Sequence, residues 1–112
     1  VSEPRLKSAL VVAMALRMAE RDGRFGLVAR HGDDDAGGIL LVLRGREGCV
    51  VCTQVRAADG EAAWLRGTGP DPVAAEAAEA YVQRQLRVDP DLWVVEIDGP
   101  DCRLPFAARI LS

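Results

Sequence analysis

One histidine, three serines and five aromatic side chains in 112 residues leave little material for the commoner kinds of catalysis. His31 is the only side chain whose unperturbed pKa lies near neutral pH. An enzyme built on this chain would have to rely on Asp, Glu, Arg or a thiol beside it. Ser2, Ser8 and Ser112 sit in or near the termini, away from any strand-to-helix elbow that would expose a nucleophile. Gly37-Gly38 is not followed by a helix and lacks the Gly-Lys-Ser/Thr ending of a phosphate loop. The longest apolar run, Ala9–Leu16, has eight residues, far short of the roughly 20 that span a bilayer. Glu3 and Pro4 before that run and Arg17 after it do not fit the layout of a signal peptide. Cysteine is scarce as well. Cys49, Cys52 and Cys102 are an odd number in a chain with a sufficient core, so free thiols and a cytoplasmic setting are expected. Nor is there an excess of positive charge. The formal net charge is −3, with cations spread along the chain, which argues against the counterion-displacing binding of nucleic acid.

What is present is the raw material of one soluble domain spanning residues 1–112. About half the residues are apolar and about a quarter charged, near the average for folded domains, and the length suffices to bury a core without staples. A helix is expected from about Pro4 to Arg21, with Ser2 as N-cap and Asp22-Gly23 as the stop. Its middle is apolar nearly all round, which one buried stripe does not explain. Either other elements sandwich this helix or a second subunit covers it. Phe25–Arg30 reads as a strand, and Gly38–Arg44 as a central strand apolar on both faces. Gly45-Arg46-Glu47-Gly48 is a turn, and Cys49–Val55 the next strand. Ala62–Arg66 reads as a short fourth strand. Asp71-Pro72 signals the start of a second helix, running to about Leu86 with Ala75, Ala78, Val82 and Leu86 inward. Arg87-Val88-Asp89-Pro90-Asp91 then stops it, and Trp93, Val95 and Ile97 share one face of a final strand.

Three blocks of residues carry a resemblance. They are Arg5-Leu6-Lys7-Ser8 at the first helix, Arg30-His31-Gly32-Asp33-Asp34-Asp35-Ala36-Gly37 before the central strand, and Asp89-Pro90-Asp91-Leu92-Trp93-Val94-Val95-Glu96. In order and spacing the chain resembles the small alphaproteobacterial family known as domain of unknown function 1491. The resemblance implies a bacterial cytoplasmic protein and carries no activity, cofactor or catalytic residue with it. Arg56–Pro70 and the tail after Asp98 match that pattern poorly.

The candidate binding loop is Arg30, His31, Asp33, Asp34 and Asp35. Consecutive carboxylates beside glycines could gather Mg²⁺ or Ca²⁺ through oxygen, although the spacing is not that of an EF-hand. A solvated turn, with aspartates accepting local backbone hydrogen bonds, is the preferred reading. In a variant of it, Arg30 forks onto Asp33 or Asp35 and locks the loop. Cys49 and Cys52 have the spacing of a redox or zinc pair, but on a strand they face opposite ways, so they read as small buried hydrophobes. Trp93 reads as a core residue whose indole N–H finds a carbonyl. Trp64, together with Val11 and Val12 on the first helix, forms the candidate interface, with Trp64 placed equally well in the core. No resident metal and no cofactor are expected.

The expected fold is α+β: a mostly antiparallel sheet of four or five strands, open to being mixed, its first three strands a meander, with two helices packed on it in the order α-β-β-β-(β)-α-β. The leading functional expectation is a noncatalytic binding or protein-interaction module, with a homodimer as one version. Ligand or divalent-cation binding at the Arg30–Gly37 loop and an enzyme of unrecognised class are the alternatives. Neither nucleic acid nor a membrane is expected as a partner.

Overall fold

The computed structural model describes residues 6–111. Eight elements follow one another: α1 (Ser8–Arg21), β1 (Phe25–Arg30), β2 (Ile39–Gly45), β3 (Gly48–Arg56), β4 (Ala62–Arg66), α2 (Ala75–Val88), β5 (Trp93–Asp98) and β6 (Ile110–Leu111). The strands form one six-stranded mixed sheet in the order β1-β5-β2-β3-β4-β6. β2 runs parallel to β5, and β4 parallel to β6. The other neighbours are antiparallel. The class is α+β, as the alternation of patterns predicts.

Apolar residues on both faces put β2 in the middle, and period-two alternation divides its side chains between two cores. Ile39, Leu41 and Leu43 join Val50, Cys52, Trp64, Trp93, Val95 and Ile97 on one face, covered by Val12 and Ala19 of α1. Leu104 and Phe106 pack against the same face. Leu40 and Val42 join Cys49, Val51, Leu92 and Val94 on the other, beneath Ala78 and Val82 of α2. Cys49 and Cys52 therefore fall in different cores, as their spacing requires.

Four expectations need correction. First, β1, β2 and β3 are not a simple meander, because β5 inserts between β1 and β2. The β1–β2 loop must hop over the start of β5, and this hop builds the site described below. Second, α2 begins at Ala75 rather than at Asp71-Pro72. Val73 instead exchanges two 2.8 Å backbone hydrogen bonds with Cys49, which holds the chain extended for another turn. Gly48, at φ +134°, makes room for the Val73 carbonyl, which a Cβ would strike. Third, α1 begins at Ser8, with Lys7 extended at its N-cap. The expected start at Pro4 and the Ser2 cap lie outside the described residues. Fourth, the tail contributes β6, too short at two residues to leave a pattern of its own.

Candidate functional site

The loop that crosses the start of β5 is the most elaborately bonded part of the molecule. Asp33 turns inward. Its Oδ2 accepts the backbone N–H groups of Asp35 (3.2 Å) and Ala36 (2.8 Å), an aspartate turn of the kind short polar side chains favour. Its own N–H donates to the Asp91 carbonyl at 3.0 Å. Its carbonyl accepts the Trp93 indole N–H at 2.8 Å, the partner expected for a buried tryptophan. His31 lies over the Trp93 ring with centroids 4.0 Å apart, and its Nε2 donates to Asp34 Oδ1 at 2.6 Å on the exposed side. Asp35 faces Lys7, 3.6 Å away in the open.

The same loop closes the end of α1. A helix begins with N–H groups that lack partners, and here the loop backbone supplies acceptors. Ser8 N donates to Asp35 O and Ala9 N to Asp34 O. The buried Ser8 hydroxyl donates to Gly37 O at 2.6 Å. On the far side the Asp89–Asp91 corner completes the knot. Asp89 Oδ1 accepts the N–H of Asp91, so this pair does turn chemistry. Two glycines are demanded by crowding, because a Cβ on Gly32 or Gly37 would strike the Asp91 carbonyl oxygen. Lys7 and Ser8, the 30–37 loop and the 89–96 corner thus meet in one junction at the shared start of the parallel strands β2 and β5.

The five candidate loop residues are brought together in space, each side chain meeting a partner within the protein. The Asp33, Asp34 and Asp35 carboxylates serve three different partners: backbone, histidine and lysine. Among the described residues no three His, Cys, Asp or Glu side chains gather as a metal would need. The expected lock between Arg30 and Asp33 or Asp35 does not form. Arg30 instead donates through Nη2 to the Pro90 carbonyl at 3.0 Å, because the hop over β5 brings that carbonyl within reach. No hydrogen bond joins His31 to a thiol among the described residues. Burial pushes the Cys52 thiol up to about 11, which makes it an inert neighbour rather than a nucleophile.

The candidate interface rearranges. Trp64 is 5% exposed and packs in the core against Phe106, 5.9 Å between centroids. Val12 is buried on the sheet-facing side of α1, and Val11 is half-buried. The register of Val12 with Ala15 and Ala19 turns these three toward the sheet. The uncovered apolar stripe of α1 is Leu10, Met14 and Met18, at 48%, 51% and 40% exposure. The all-round apolar pattern gave warning of such a stripe, and only the helix phase assigns its members. Beside α1 lies β1, paired on one side only among the described residues, with Phe25 67% exposed. An open groove of about 1070 Å³ runs between them, lined by Leu16, Arg17, Glu20, Arg21, Arg24 and Phe25 among others. No helix among the described residues is long and apolar enough to cross a membrane.

The fold as a whole has counterparts among solved structures. A crystal structure of a DUF1491 family protein from Caulobacter crescentus superposes with a TM-score of 0.84 at 34% identity, covering 96% of this chain and all of the other. An NMR structure of a DUF1491 family protein from the same organism gives 0.83 at 32% identity, covering 98% of this chain and all of the other. The solution structure of protein Atu0922 from A. tumefaciens gives 0.81 at 24% identity, over 97% and 98% of the two chains, a likeness of fold. No curated protein matches. The family model described as "Protein of unknown function (DUF1491)" matches residues 6–107, nearly the whole chain and all three junction blocks from Leu6 onward. The chain therefore belongs to the DUF1491 family.

Proposed function

We infer that this chain is a single-domain, noncatalytic protein-interaction module of the cytoplasm, working through the outer side of α1 and the free edge of β1. The observation that carries this reading is the exposed stripe Leu10-Met14-Met18 on a helix already anchored by its opposite face. Contiguous exposed apolar surface on a small protein marks interaction sites. Methionine, flexible and polarizable, is over-used at such surfaces. The β1 edge adds backbone groups that no strand among the described residues satisfies on its outer side, a place where another chain can pair. Three free thiols support the compartment. The acidic loop enters this reading as scaffold, since its carboxylates hold the junction together.

In the homodimer version a second copy covers the stripe. Light scattering on the purified protein tests it: a dimer is expected, and Leu10→Gln with Met14→Gln should convert it to a monomer of unchanged circular dichroism. A strict monomer at high concentration retires the homodimer. The wider reading is then tested by whether the stripe variant loses partners that the natural chain retains in pull-downs. Unchanged partners overturn it.

A further inference from the structure

An arginine faces the core side of the sheet at its other edge. Trp64 and Arg66 are two residues apart on β4, so their side chains leave the same face, and Trp64 belongs to the α1-side core. Cross-strand register agrees, because Arg66 stands opposite Cys52, which is buried in that core. The tail crosses this face, and Arg66 lines a cleft of about 290 Å³ with it. Its walls include Leu43, Cys52, Cys102, Leu104, Phe106 and Ile110.

The charge in that cleft lacks a counterpart. The Arg66 Nε atom is buried, and no described residue accepts its hydrogen. Among the described residues no carboxylate forms an ion pair with it. The neighbouring thiols supply no negative charge either, since burial raises both Cys52 and Cys102. A cationic N–H kept from water and from any acceptor is a costly arrangement. Arg103 stands exposed on the same cleft, where its field favours the approach of an anion.

We propose that this cleft binds a small monocarboxylate with an aliphatic tail, held at its charged end by Arg66 and along its tail by Leu43, Leu104, Phe106 and Ile110. The guanidinium is a planar donor fork that matches a carboxylate, and the remaining walls have little else to offer a polar ligand. The volume is at the small end for ligand pockets, so a chain of about four to eight carbons suits it. The site lies at the β4–β6 edge, the opposite side of the sheet order from β1, and does not depend on the interaction reading.

Hexanoate and acetate titrated into the full chain, followed by amide NMR and thermal unfolding, test the proposal. Hexanoate should saturate, shift the amides of residue 66 and of residues 102–104 and 106–108, and raise Tm, while acetate binds at least about tenfold more weakly. Arg66→Met, which keeps the stem and removes the charge, should lose about tenfold or more in hexanoate affinity. Arg17→Met, at the far edge, should lose none. An unchanged affinity in Arg66→Met overturns the proposal, as does equal binding of acetate and hexanoate. If Arg66→Met does not fold, the map of shifted amides in the natural chain decides. Shifts centred away from the cleft, or no saturation, overturn it.

Discussion

The junction at the start of β5 and the outer side of α1 are neighbours, yet they are built by opposite rules. At the junction nearly every polar group has a partner and two glycines are too crowded to carry a side chain. On the outer side of α1, Leu10, Met14 and Met18 face solvent with nothing upon them. The junction holds the conspicuous chemistry, three aspartates and the one histidine, and uses it on itself. The helix face holds no conspicuous chemistry and is left unused by the fold. The charged, patterned residues of the loop are engaged in a structural task, the hop of a loop over a strand.

This contrast can be broken by substitution. Gly37→Ala should be the most damaging change, because its Cβ would meet Asp91 O at 2.5 Å with backbone on every side. A loss of about 3 kcal/mol in urea unfolding is expected, and a loss under about 1 kcal/mol would show the junction to be pliable. Trp93→Phe removes the indole donor to Asp33 O and part of the buried ring. About 2 kcal/mol should go, together with hydrogen-exchange protection in the loop.

Smaller effects sharpen the comparison. Arg24 donates to Asp22 and Asp101, tying the start of β1 to the tail. The hydrogen bond from Arg24 holds the Asp101 carboxyl below its ordinary value of 3.8. A depressed carboxylate stabilises the fold above that value, and the contribution fades as pH falls through and below it. The stability gap between the natural chain and Arg24→Gln should thus be constant from neutral pH to about 5 and close below about 4. A gap that persists at low pH would leave packing of the Arg24 stem as its cause. Last, Leu10→Gln with Met14→Gln should change folding stability by less than about 0.5 kcal/mol. A large loss would mean that the stripe supports the fold.

Much of this architecture is written in local patterns. β2 is apolar on both faces and is central; Trp93, Val95 and Ile97 share a face; Cys49 and Cys52 part to opposite cores. Period-two alternation and turn chemistry are short-range properties, so the chain displays them in order. Strand order is not short-range. Nothing in β1, β2 or β5 taken alone announces that β5 fits between the other two, and the role of the 30–37 loop follows from that insertion. The same reason hid the Arg30–Pro90 bond, whose partners are 60 positions apart. The late start of α2 was hidden because Val73 answers to Cys49 across the fold rather than to Asp71-Pro72 beside it. Trp64 in a weak pattern gave no face, and only its pairing with β3 and the tail assigns one.

The insertion of β5 also sets a schedule. Among the described residues β1 pairs with β5 alone, so a chain emerging from the ribosome displays α1 and β1 well before residues 93–98 exist to receive them. β2 and β3, joined by a tight turn, can meet at once. β1 waits for β5, and during that wait unpaired strands and apolar surface invite misassociation. In pulsed hydrogen exchange during refolding, the amides of β1 should gain protection after those of β2 and β3. The insertion of β5 thus leaves β1 without its strand partner until the chain has been made through residue 98.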